Sequence, residues 1–278
     1  MWTRDIGMLE SSGVWDAAAF DSADYALLTA FCHPDAALEE LLLVTDWYVW
    51  LFFLDDHFLE SCMRRGDTEG GRAYLARLAA FIPEAPGATT PAPDGPAERA
   101  LADLWLRTAP GTPGDWRRRF RGSNQGVFDE HARELTLYGR KQVPDPVTYL
   151  DMRRQGRGGP WAAELVELTL RTTLPATVST TQTMRALKDA FGDVVRLHDD
   201  LTSYRREVEQ EGEVNNEVLV VEHFLGCDPQ EATGIVRDLL ASRSRRSEEI
   251  VGTELPILLA EQGLGPPYSG TSRGCGTS

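Results

Sequence analysis

Cysteine is scarce in this chain and scattered. Cys32, Cys62, Cys227 and Cys275 share no Cys-x-x-Cys spacing, which excludes a sequence-legible zinc site or disulfide framework and suits a reducing compartment. No apolar run approaches the length needed to cross a bilayer. Basic charge is the minority sign, with 28 Lys and Arg against 43 Asp and Glu and a formal charge of −15. That balance argues against nucleic acid or a membrane surface as partner. An anionic small substrate stays open, because bound metal ions and local arginines can reverse the field inside one cleft. Hairpin dipeptides between alternating apolar residues are missing, as is any repeat of fixed period. Met1-Trp2-Thr3-Arg4-Asp5 runs directly into amphipathic sequence without a leader-like apolar stretch, so the expected location is the cytoplasm.

What the chain has instead is helical periodicity. Helices are expected over Asp35 to Cys62, Gly70 to Phe81, Ala97 to Thr108, Asp115 to Tyr138, Val147 to Gln155, from Trp161 onward, Thr181 to Glu209, Asn216 to Leu225 and Pro229 to Leu259. Between them lie Gly/Pro-rich breaks, the longest from Pro83 to Pro96. The predicted fold is an all-α bundle of roughly ten helices with a ligand site between facing helices. Residues 1–263 form this helical domain, and the Gly/Ser-rich 264–278 is expected to be a disordered tail.

Two acidic stretches stand out. Asp55-Asp56-His57-Phe58-Leu59-Glu60 follows the aromatic run Trp47-Tyr48-Val49-Trp50-Leu51-Phe52-Phe53. Carboxylates delivered to the rim of an apolar interior call for a compensating cation. On a helix, Phe52, Leu51 and Tyr48 share the face of Asp55, so an apolar pocket with a metal-binding lip is predicted. Solvated acidic turns also end many helices, and it is the second stretch that favours metal. There Asp199, Ser203 and Glu207, at i, i+4 and i+8, line one helical face with hard oxygen donors of the kind magnesium takes. A plain solvated face, with these carboxylates paired to Arg196, Arg205 or Arg206, is the competing reading. Arg153, Arg154 and Arg206 are candidates for bidentate phosphate recognition.

Asp55 to Glu60 resembles the aspartate-rich motif of bacterial class I terpene synthases, in the variant found in the N-terminal half of germacradienol/geosmin synthase. Asp199 to Glu207 resembles the same family's second magnesium motif, with Asp199 where close relatives carry Asn. Gly13-Val14-Trp15, Thr45-Asp46-Trp47, Met152-Arg153-Arg154 and Glu211-Gly212-Glu213 agree with it. The resemblance implies a class I terpenoid synthase bundle that ionises and cyclises farnesyl diphosphate, a prenyl diphosphate, to a germacradienol-like sesquiterpene. It implies three magnesium ions: Asp55 and Glu60 at one pair, with Asp56 among the metal residues, and Asp199, Ser203 and Glu207 at the third. Arg153 would sense diphosphate and Arg206 would bind it. Phe52 and Tyr48, with Trp161 a further candidate, would face the carbocation. A homodimer is expected by the same resemblance. Family members continue with C-terminal helices bearing an Arg-Tyr pair absent from Gly263 to Ser278, and begin with a capping segment upstream of Met1. The chain is therefore expected to be truncated at both ends, and a remnant that binds diphosphate without productive cyclisation is an alternative. A trans-prenyltransferase is a weaker one, because Ser203 and Glu207 replace its second Asp-Asp-x-x-Asp.

Overall fold

The computed structural model describes residues 2–264 apart from 86, 157 and 158, and among these there is no strand, only an isolated bridge between Leu9 and Trp15. Residues 265–278, all but the first residue of the expected disordered tail, lie outside the described residues. Three short helices open the chain, α1 (Trp2–Ile6), α2 (Ala17–Ala23) and α3 (Tyr25–Cys32). The long α4 (Leu38–Phe58) carries the first acidic stretch and is followed by α5 (Thr68–Leu78), α6 (Pro96–Thr108) and α7 (Gly114–Arg140). Then come α8 (Pro146–Gln155), α9 (Gly159–Thr169), α10 (Ala176–Ser179) and α11 (Gln182–Tyr204), and finally α12 (Glu217–Leu225), α13 (Pro229–Glu249) and α14 (Leu255–Glu261).

The helix starts follow side-chain chemistry. Asp67, Asp145, Thr181, Asn216 and Asp228 each accept a hydrogen bond from backbone N–H groups of the first turn, which satisfies donors that no intrahelical carbonyl reaches. The main core lies between α4, α6, α7 and α9 and is built on Trp47, Trp50, Phe53, Trp116, Phe120, Phe128 and Trp161. Indole N–H groups cannot be buried without cost unless they donate. Trp47 Nε1 donates to Thr108 Oγ1 at 3.0 Å, Trp50 to the Ala97 carbonyl at 3.1 Å and Trp116 to the Glu164 carbonyl at 3.0 Å. These three indoles therefore each add a directional tie to the area they bury, whereas Trp161 Nε1 is buried without a partner, and α4 and α7 are held as a rigid floor beneath the acidic residues.

The expected long helices are interrupted where the sequence predicted continuity. The segment Leu59–Met63 after α4, Arg205–Gln210 after α11 and Ile250–Glu254 after α13 are π-helical. A π turn inserts a residue into the helical ladder, a feature that recurs at functional sites. Two of the three fall on the acidic stretches, so Glu60 and Glu207 leave the straight α face that a 3.6-residue period assigns them. Pro256 at the start of α14 has a simpler role: it cannot donate to the ladder and seats at the first turn, where no donor is needed.

Candidate active site

The adjacent aspartates of α4 point to different neighbours. Asp55 faces α7, where its Oδ1 lies 3.4 Å from His131 Nε2, and ligand atoms of Asp55, His131 and Glu134 all lie within 4.8 Å of one another. His131 Nδ1 is 2.8 Å from the Val127 carbonyl, an acceptor that places the proton on Nδ1 and leaves a lone pair on Nε2. That Nε2 is buried and has no hydrogen-bond partner. Asp56 turns instead to the N-terminal segment and accepts a 2.6 Å hydrogen bond from Trp15 Nε1. Burial, with the neighbouring Asp55 adding to it, pushes the Asp56 carboxyl up to about 6. Glu60 is the exposed residue of the otherwise largely buried π turn Leu59–Met63 and is paired with Arg64.

Arg153, 4% exposed, is the hub of the site. Its Nη1 donates to Glu130 at 2.8 Å and Glu134 at 2.6 Å, its Nη2 to the Asn215 carbonyl at 2.6 Å and its Nε to the Tyr149 hydroxyl at 3.0 Å. Tyr149 in turn donates to Asp200. Burial works against the charge on Arg153, but Tyr149 and the carboxylates of Glu134, Glu130 and Asp200 outweigh it and hold its pKa well above the ordinary arginine value. A Cβ on Gly156 would run into the Glu130 carboxylate, so the break after α8 needs glycine where Glu130 reaches Arg153.

The second stretch arrives from the other side. Asp199 is half-exposed, with Arg196 Nη1 3.4 Å away, and the buried Ser203 donates from Oγ to the Asp199 carbonyl at 2.8 Å. Glu207 accepts from Asn216 Nδ2 at 3.1 Å, and burial together with Asp200 raises its carboxyl above the usual range. Arg206 is held by both oxygens of Glu211 at 3.0 Å, with half its side chain exposed. Arg154 lies elsewhere, gripping Asp193 at 2.9 and 2.7 Å; Arg243 Nε also lies 3.1 Å from that carboxylate. Among the aromatics, Tyr48 meets Trp161 edge-on with centroids 5.3 Å apart, while the partly exposed Phe52 stacks on Tyr25 at 5.1 Å.

The acidic stretches thus meet in one cleft. Glu213, between them, feels the charge of both: burial first, then Asp55, Glu134 and Glu207, push its carboxyl up to about 9. Glu217 is raised to about 8 by burial and Asp200. Such crowding, with Glu217 Oε2, Asp200 Oδ1 and His131 Nε2 lacking partners, fits divalent cations bound by hard donors. Two carboxylates and an imidazole suit manganese at least as well as magnesium. A carboxyl whose folded-state pKa lies above its unfolded value keeps its proton only in the folded chain, so rising pH favours unfolding. The metal-free protein is therefore expected to lose stability progressively from about pH 5 to about pH 9, with Glu213→Gln flattening the profile. Urea midpoints across that range check this; a midpoint that rises with pH would contradict it.

Several of these residues carry no signal that the sequence reading used. His131 and Glu134, one turn apart on α7, and Tyr149, Asn215 and Asn216 emerge only when the helices are assembled.

The arrangement is that of a helical bundle with an acidic mouth, and its architecture matches solved class I terpene synthases. The chain aligns with germacradien-4-ol synthase from Streptomyces citricolor with a TM-score of 0.82 and 25% identity, over 99% of this chain and 88% of that one. Pristinol synthase of Streptomyces pristinaespiralis is 28% identical over 96% of this chain and 70% of its own length. (−)-delta-Cadinene synthase of Streptomyces clavuligerus is 31% identical over 79% of this chain and 65% of its own. Residues 46–246 match the family described as terpene synthase family 2, C-terminal metal binding. The chain belongs to that family.

Proposed function

We propose that this protein ionises farnesyl diphosphate in a magnesium-dependent reaction and closes the resulting allylic cation into a cyclic sesquiterpene, releasing diphosphate. The observation that carries the proposal is the hydrogen-bonded chain that runs from Glu134, which stands beside Asp55 and His131, through Arg153 and Tyr149 to Asp200 of the second acidic stretch. A further relative, the (+)-T-muurolol synthase of Roseiflexus castenholzii, 31% identical over 78% of this chain and 65% of its own length, supports the substrate class, since its name specifies cyclisation of (2E,6E)-farnesyl diphosphate.

Magnesium ions, three in the reading favoured here, would neutralise the charge that develops on the leaving group. Asp55 and Glu134, with His131, would hold the ions on the α7 side, and Asp199, Ser203 and Glu207 on the α11 side. Asp56 and Glu60 would support the lip rather than bind metal, one tied to Trp15 and the other to Arg64. Arg206, whose side chain is half exposed, would meet a phosphate oxygen by exchanging its Glu211 partner. Arg153 would sense diphosphate by giving up one of its carboxylates in the same way. Tyr48, Trp161 and Phe52 offer ring faces or edges to cationic carbon and keep water off it. A germacradienol-like alcohol is the product favoured by the sequence resemblance.

Diphosphate release from C10, C15 and C20 prenyl diphosphates tests the substrate assignment. Release is expected to be fastest with C15 and to stop when the metal is chelated. Equal release with and without chelator would contradict the proposal.

A further inference from the structure

Glu207 lies in the π-helical segment Arg205–Gln210, off the α-helical register of Asp199 and Ser203. Something outside α11 must therefore aim its carboxylate. The fully buried Asn216 is in contact with it. Its Nδ2 donates to Glu207 Oε2 at 3.1 Å and to the Asp200 carbonyl at 2.9 Å, while its Oδ1 accepts from Val218 N at 3.0 Å and caps α12. One amide thus fixes three things: the start of α12, the last carbonyl region of α11 and the Glu207 side chain. The amide cannot flip without placing an oxygen against both the carboxylate and the carbonyl, so its orientation is determined by its own partners.

The segment between them reinforces this placement. Glu213 N donates to the Glu207 carbonyl at 2.9 Å, Glu217 N to Asp200 Oδ2 at 3.0 Å, and the Asn215 carbonyl accepts from Arg153. The chain from Glu211 to Glu217 is thereby laced to the site along its length, and Asn216 is the point where a side chain of that segment touches Glu207.

We infer that Asn216 is a positioning residue that aims the Glu207 carboxylate into the cleft and so sets the affinity of the cation held on the α11 side. The inference rests on the reading of Glu207 as a metal ligand. Partners that orient a ligand typically change metal affinity by about 10- to 100-fold when removed.

Asn216→Ser separates the two roles of the amide. Serine caps a helix about as well as asparagine, but its hydroxyl is too short to take over the reach of Nδ2 to Glu207. Binding of Mn2+ in the presence of inorganic pyrophosphate, followed by electron paramagnetic resonance, is the readout, together with the thermal midpoint. Asn216→Ser is expected to weaken Mn2+ binding about tenfold or more, with a thermal midpoint lowered by the lost donor to the Asp200 carbonyl but a chain still folded at the assay temperature, and to add nothing to the loss of Mn2+ binding in a Glu207→Gln background. Wild-type Mn2+ affinity in Asn216→Ser, or a full further loss in the double variant, overturns the inference while leaving the proposed function standing. If the serine variant unfolds, Asn216→Asp keeps the cap oxygen but sets a carboxyl against Glu207; the same weakening is expected, and wild-type affinity there overturns the inference equally. Wild-type protein that binds no Mn2+ beyond that taken by pyrophosphate itself removes the proposed function, and the inference with it.

Discussion

Replacement of Arg153 by methionine is expected to destabilise the protein by about 3 kcal/mol or more, since removing one partner from a buried ionic cluster leaves the others uncompensated. The groups that lose this partner are Glu130 and Glu134, 1% and 5% exposed, which share Nη1. The Asn215 carbonyl and the Tyr149 hydroxyl lose their donor at the same time. Arg154→Met provides the contrast. Its partner Asp193 is just as buried, but Arg243 Nε remains 3.1 Å from the same carboxylate, so a loss of roughly 1 kcal/mol is expected. Urea unfolding of the two variants checks the difference. Equal losses would mean that Arg153 holds the fold no more firmly than Arg154 does, contrary to its place as the hub joining the two acidic stretches.

The second large effect separates two neighbours. Asp55→Asn is expected to lower turnover of farnesyl diphosphate by about three orders of magnitude, the scale on which a metal-based stabilisation of leaving-group charge acts. Asp56→Asn is expected to lower it by only about tenfold, because its carboxylate is turned to Trp15 and away from the His131 and Glu134 side. Steady-state kinetics at several magnesium concentrations distinguish the two: the Asp55 variant should not be rescued by excess metal. Comparable losses in both variants would show that the aspartates act as one bidentate unit, contrary to their orientation in the fold.

Much of this fold is legible from periodicity and capping. Ala97 to Thr108, Val147 to Gln155 and Asn216 to Leu225 are expected helices that differ from α6, α8 and α12 by a residue at their starts, because each begins at a proline or a capping side chain. The two acidic stretches are legible for a different reason: carboxylates beside an aromatic run violate ordinary burial preferences and call for an explanation. The π turns are not legible. Nothing in Leu59–Met63 or Arg205–Gln210 marks the inserted residue, so the single face drawn through Asp199, Ser203 and Glu207 bends at its last member.

The residues that connect the stretches were hidden for a further reason. His131 shares the apolar stripe of α7 with Val127 and Leu135, where a histidine is explained by ordinary burial, and only the approach of α4 brings Asp55 to it and to Glu134. A single sequence records which residues share a face of one helix, but not which face of the next helix it meets. Their spacing was a usable signal, since an imidazole and a carboxylate three residues apart share a helical face. Asn216 gave a weaker one, since an asparagine before an apolar helix is explained by capping alone.

The central claim is that the two acidic stretches work together to ionise a prenyl diphosphate and that the aromatic wall then closes the ring. Its most direct test is gas chromatography with mass detection on a solvent extract of the protein incubated with farnesyl diphosphate and magnesium, beside the Asp55→Asn variant and a chelated control. A cyclic sesquiterpene present in the first sample and missing from both controls is the predicted result. An extract holding only acyclic farnesol or nerolidol, or no product at all from folded protein, would contradict it.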